Sequence, residues 1–414
     1  MKTLSLATSL LIAATPVFAA LNIPSDGSDG AFNPSVDTEI DLGQATTGTW
    51  SDDNGGSDIG KGVYDPQQWV VVYEYSSVNI PSGVTVTFKN HPSNAPVMWL
   101  VSGSVTIDGT VDLSGTSVYE GGLEGLVPST GGPGGFRGAP SGPEGSGDGL
   151  GPGGAGAAGG SSQPVYKSGT YEYGNPKILP LIGGSGGSGS AGTAGSGGGG
   201  ALLIASSTQI LVNGNLIASG GDSYFSGSAV DRGYDRRGSG GSLRLIADQV
   251  TGSGLLDCRG GFWSKSSPSD TSVGEGDAFG RVRIETNTLS TSLITYPETV
   301  AVAPNDPVLL FPPANAPTVE IISVNAINAP VDPTAPLQAS SDIAIQNDEP
   351  VTIIVQTTNF PLEGVVQVRV SQKFGGAEWK TATNIGGNLA SATWEVTHTF
   401  ADGFSALQAR ATAP

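Results

Sequence analysis

Short runs of β-branched and aromatic residues recur along the chain. No stretch holds apolar residues at i, i+3, i+4 and i+7 over three turns without Gly or Pro intruding. Trp69 to Tyr75 (WVVVYEY), Val84 to Phe88 (VTVTF) and Met98 to Val101 (MWLV) carry the strand pattern instead. The pattern predicts an all-β protein.

A unit recurs within this pattern. Val97 to Gly115 reads VMWLVSGSVTIDGTVDLSG, Ala201 to Gly221 reads ALLIASSTQILVNGNLIASGG, and Ser242 to Gly261 reads SLRLIADQVTGSGLLDCRGG, with a shorter copy (RVRIETNTLS) from Arg281. Each holds an apolar strand, a polar break, a second strand, and a third short strand closing on Gly. Such a unit is the length of one coil of a right-handed parallel β-helix, or solenoid, in which apolar side chains point inward and strands pair with their counterparts one coil away. Asp108-Gly109 and Asn213-Gly214 are expected to supply corners with positive φ. A β-sandwich with look-alike hairpins is the competing fold.

Three insertions, at about 116–199, 222–239 and 262–279, leave the repeat just after its closing Gly. Equal phase places them on one side of a solenoid, where loops on a rigid scaffold carry binding chemistry. The first is Gly-rich: residues 115–200 hold 32 of the chain's 64 glycines. Two readings stay open for it, disorder through lack of apolar area, or extended runs packed closely on the solenoid. Within it, Pro164 to Ile182 forms an island with Tyr166, Tyr171 and Tyr173, long enough for a hairpin.

Prolines 304, 307, 312, 313 and 317 mark a stiff linker over 297–317. From 318 to 414 short alternating strands separated by turn signals predict an immunoglobulin or fibronectin-III-like sandwich, with Trp379 and Trp394 in its core or at its edge. The expected organisation is a leader at 1–19, a solenoid domain at 20–296, the linker, and the sandwich. The leader reads as a secretory signal: Lys2, an uncharged apolar run from Leu4, and Val17-Phe18-Ala19 before the cleavage point. No later run is long and apolar enough for a transmembrane helix, so the expected location is extracellular, cell-surface or periplasmic.

The stretches LNIPSDGSDG (from Leu21), IPSGVTVTF (from Ile80) and GGALLIAS…VNGNLIASGG resemble those of large secreted bacterial proteins with a Gly-rich parallel β-helix core. The resemblance is one of architecture over about residues 21–290. It implies the pectate-lyase-like shape shared with polysaccharide-active enzymes, and carries no catalytic residue set with it.

Charge and composition narrow the partners. A formal charge of −19 disfavours nucleic acid, and one Cys with two His cannot build a Cys/His metal centre. Calcium on oxygen ligands is the remaining ion, best placed at Asp52, Asn54 and Asp58. The second insertion (DSYFSGSAVDRGYDRR) offers Asp222, Asp231 and Asp235 as candidate acids, Arg232 and Arg236 for an anionic group, and Tyr224 and Tyr234 for stacking. Alternating signs this close also fit a loop stitched by Asp–Arg pairs. Trp263 in the third insertion suits stacking on a sugar face, or packing against the scaffold. Cys258 is expected to point inward. The expected role is structural or adhesive, with carbohydrate contact through the loop face and extracellular polysaccharide or surface proteins as partners. The alternative is a polysaccharide lyase or glycoside hydrolase using the loop carboxylates.

Overall fold

A computed structural model describes residues 21–52, 59–119, 129–141, 148–153, 175–189, 194–224, 236–264, 278–289, 292–334, 341–346, 349–372 and 379–414. The expected leader lies outside them. Among the described residues no α-helix forms; 3-10 turns occur at Leu42–Gln44 and Trp50–Asp52.

The repeat units pair in parallel, one unit apart. Val70–Ile80, Val97–Val101, Ala201–Ser206, Ser242–Ile246 and Arg281–Glu285 form one ladder. Its register aligns Val71, Val97, Leu202, Leu243 and Val282 in one column, and Tyr73, Trp99, Ile204, Leu245 and Ile284 in the next. A second ladder aligns Val78, Val105, Ile210 and Val250, and a third aligns Val86, Val111, Leu216 and Leu256. All these side chains, with Cys258, belong to one buried cluster. Each full burial of such a side chain is worth about 1.5–3 kcal/mol, so the columns carry the main favourable term.

The first ladder is apolar on both faces of its strands (VMWLV, ALLIA), the pattern of a sheet covered on both sides. Its second face packs Val72, Met98, Leu100 and Leu203 under Ile23, Ile178, Leu181 and Leu310. The segment expected as a stiff linker thus packs onto this sheet over 308–311. A buried ion pair fastens it: Arg244 donates to Glu285 Oε1 from Nε at 2.9 Å and from Nη2 at 2.7 Å, and Nη2 also reaches the Leu309 carbonyl at 2.7 Å. Both side chains are fully buried. Ile178 and Leu181 belong to the predicted island, whose residues 175–182 contain no strand.

The corner glycines differ from expectation. Neither Gly109 nor Gly214 has a positive φ, whereas Gly252, at the same corner of the next unit, does at 119°. Close approach is what requires glycine at the first two: a Cβ on Gly214 would collide with the Gly109 carbonyl, and one on Gly109 with that of Val84.

The described parts of the Gly-rich insertion are ordered by backbone hydrogen bonds. The N–H groups of Gly195, Ser196 and Gly197 donate to the carbonyls of Ala139, Arg236 and Thr116 at 2.7–3.0 Å. Those of Gly198, Gly199 and Gly200 return to the same three neighbouring segments in the same order, at Phe136, Ser239 and Leu113. The carbonyls of residues 195–199 accept from three further segments, through Ser129, Gly187, Gly221, Gly132 and Gly184. Bonds that step through three neighbours are what a helix of three residues per turn produces. Here the groups that such a helix usually leaves to water are satisfied by six surrounding strands of chain. Glycine is needed because the segments touch: a Cβ on Gly183 would lie 2.5 Å from the Gly199 oxygen and 2.7 Å from Gly135 Cα. Order rather than disorder holds for these residues, because their buried N–H and C=O groups are paired.

Residues beyond 317 form two antiparallel sheets. One orders Ile327–Asn328, Thr318–Val324, Val351–Thr358, Ser391–His398 and Thr383–Asn388, and the other orders Trp379–Thr381, Val365–Gln372 and Ser405–Thr412. Alternate residues Val351, Ile353 and Val355 from the first meet Val366, Val368 and Val370 from the second in a common core. Trp394 is buried there, its indole donating to Thr357 Oγ1 at 2.9 Å. Trp379 lies at the edge between the guanidinium groups of Arg369 and Arg410, at 5.2 and 4.1 Å. Arg369 also reaches into the Gly-rich lattice, donating to the carbonyls of Gly149 and Gly151 at 3.1 and 2.9 Å.

Candidate functional site

The three insertions start side by side. Val118–Tyr119, Ser223–Tyr224 and Trp263–Ser264 form a short parallel ladder of their own, so the equal phase read from the sequence becomes spatial adjacency. The register sets Tyr119 against Tyr224 and Ser264, and Val118 against Ser223 and Trp263. Period-two alternation thus puts the two tyrosines on one face. Their rings stack with centroids 4.6 Å apart and planes 14° apart, and Tyr119 is half exposed.

Asp222 supports this pair rather than facing a groove. Its Oδ2 accepts from the Tyr224 hydroxyl at 2.8 Å and its Oδ1 from the Phe262 N–H at 2.7 Å. Its own N–H donates to Ser117 Oγ at 2.9 Å, and its carbonyl accepts from Val118 N–H and Ser196 Oγ. One residue thereby ties three successive units together. Burial first, and then the bond to Asp222, raise the Tyr224 pKa, so the phenol stays a donor across the physiological range.

The other sequence candidates fall differently. Arg236 is buried, with its backbone carbonyl inside the Gly-rich lattice. Asp231, Arg232, Tyr234 and Asp235 lie outside the described residues, as do Asn54 and Asp58. Asp52 is exposed in its 3-10 turn. No group of three or more His, Cys, Asp or Glu able to hold a metal occurs among the described residues. Among the described residues of the second and third insertions Asp222 is the one carboxylate. Beside them Arg259 grips Asp257 with both Nε and Nη2, and its guanidinium lies over Phe262 and Tyr296 at 5.2 and 4.5 Å.

Tyr119 was not singled out from the sequence. The signal was present: Ser-Val-Tyr at 117–119 occupies the same phase, just after the closing Gly, as Asp-Ser-Tyr at 222–224. Among the described residues no helix is long and apolar enough to cross a membrane. No protein-family model, curated protein or solved structure matches the chain.

Proposed function

We propose that this is a secreted or cell-surface structural and adhesive protein that contacts carbohydrate through the side of its scaffold bearing Tyr119 and Tyr224. In this reading the N-terminal part is a right-handed parallel β-helix over 20–296, and residues 318–414 form an immunoglobulin or fibronectin-III-like module. Parallel pairing one repeat apart supports the first assignment, and two antiparallel sheets around one core support the second.

The observation that carries the proposal is the division of labour at the insertion bases. An aromatic pair with Tyr119 half exposed sits there while the neighbouring Asp222 carboxylate is consumed in holding it. Aromatic rings bury the C–H faces of sugars without competing for their hydroxyl hydrogen bonds. Hydrolysis would instead need two carboxylates set across a bond, with one free to give a proton.

The test is affinity electrophoresis of the mature protein through gels containing neutral or anionic polysaccharides, with calcium present, followed by sizing of the polymers. Retardation that disappears in a Tyr119→Ala/Tyr224→Ala variant supports the proposal. Shortened polymer would replace it with a polysaccharide-active enzyme. No retardation in any gel would remove the carbohydrate contact and leave the structural role alone.

A further inference from the structure

A cleft of about 1650 Å³ separates the Gly-rich lattice from the C-terminal sheets, larger than the roughly 300–1,000 Å³ that a single small ligand needs. Trp69 and Phe136, both half-buried, line it on the lattice side, and Phe404 lines it on the other. Arg137 lines the cleft as well. Its Nε and Nη1 are buried without a hydrogen-bond partner. Burial pushes its pKa down to about 10. This is unusual in a chain with 37 acidic against 18 basic residues, where a carboxylate partner would be easy to supply. Arg369, with an unpartnered buried Nε, adds a second cation beside the same stretch: Arg137 accepts the Leu150 N–H on its carbonyl, and Arg369 donates to the carbonyls on either side of Leu150.

A buried guanidinium without an acceptor is costly, and it is matched best by a planar or tetrahedral oxyanion that takes two parallel N–H bonds. An aromatic ring lies over it: the Phe404 ring centroid is 5.6 Å from the Arg137 guanidinium carbon. Phe404 follows Gly403, whose φ is +106° and whose surroundings would leave an added Cβ free of contacts within 4 Å. A ring next to an unencumbered glycine can swing aside with little else moving.

We infer that this cleft is an anion site for a polysaccharide bearing carboxylate or sulfate groups, with Arg137 as the anchor and Phe404 as its cover. The site is separate from the Tyr119–Tyr224 pair, so the two stand or fall independently.

The probes are dextran sulfate, hyaluronate and neutral dextran, titrated calorimetrically at 0.15 M salt, where repulsion by the acidic surface is confined to about 8 Å. Wild-type protein is expected to bind one or both charged polymers and to bind neutral dextran more weakly. The sulfate and carboxylate arms identify which group the site takes. Arg137→Met should lower affinity for the charged polymers at least tenfold and leave neutral dextran unchanged. Phe404→Ala should raise affinity or association rate several-fold, the opposite direction. If Arg137→Met does not fold by circular dichroism, Arg137→Lys, which keeps the charge but loses the fork, is expected to lose affinity several-fold. Charged-polymer binding that is absent, that survives replacement of Arg137, or that is lost only in the Tyr119→Ala/Tyr224→Ala variant overturns the inference. So does weaker binding in Phe404→Ala.

Discussion

Replacing Gly183 by Ala tests the claim that the Gly-rich segment is a load-carrying lattice rather than a loose excursion. The new Cβ would lie 2.5 Å from the Gly199 oxygen, whereas ordinary contact begins near 3.4 Å, so the two segments must part by about 0.9 Å. The bond from Gly184 N–H to that same oxygen is 2.7 Å long, and an equal displacement takes it beyond hydrogen-bonding range. The bond from Gly183 N–H to the Gly134 carbonyl, 2.9 Å, is strained with it. Overpacking costs about 1–3 kcal/mol, and each buried group left unpaired about 1–3 kcal/mol. Restriction of the unfolded chain by Ala returns about 0.4–1 kcal/mol. The net expectation is a loss of about 3–5 kcal/mol, or a fall in Tm of roughly 8–15 °C for a domain of this size. Differential scanning calorimetry reads it, with Gly48→Ala as the control, because there the nearest atom to the added Cβ is Val63 Cγ1 at 3.8 Å. A Tm for Gly183→Ala within about 2 °C of the control, equivalent to about 1 kcal/mol or less, would refute the lattice.

Further expectations follow from other contacts. Glu285→Gln leaves Arg244 buried without its counter-charge and should cost about 3–5 kcal/mol in urea unfolding, while Arg244→Met with Glu285→Leu should recover most of that loss. Asp222→Ala removes the acceptor for the Phe262 N–H and for the Tyr224 hydroxyl, with an expected cost of about 1–3 kcal/mol; an unchanged melting curve would mean that the staple is ornamental. Burial lowers the pKa of His91, whose ring lies tilted against that of Tyr64 with centroids 4.0 Å apart, and burial followed by the Lys380 charge lowers that of His398. The unfolded chain then binds more protons than the native one below about pH 6.5, so these groups' contribution is present above that pH and lost as pH falls through the depressed folded values. Stability measured from pH 8 to 5 should decline, and the slope should flatten in His91→Gln/His398→Gln; an identical slope in that variant would exclude both histidines as the cause.

What the sequence determined by itself is what repeats locally. Inward columns such as Val97, Leu202, Leu243 and Val282 show as a unit because each repeat buries the same positions, and the phase of the insertions shows because each leaves after the same Gly. Cys258 was readable as interior for the same reason, whereas Trp394 was expected either in the core or at the edge of its sheets, and the fold buries it. The tertiary structure decided what depends on neighbours distant along the chain. The lattice around 195–200 is held by backbone groups, which carry no side-chain pattern, so composition alone allowed disorder equally well. Asp222 offered the same carboxylate to catalysis or to stapling, and the adjacent unit's Phe262 N–H and its own Tyr224 hydroxyl took both oxygens. Pairing of Arg244 with Glu285, and the lack of any such partner at Arg137, depend on which strands and segments meet. Charge pairing and backbone packing are fixed by spatial adjacency, whereas apolar periodicity is written into each strand before it finds its neighbour.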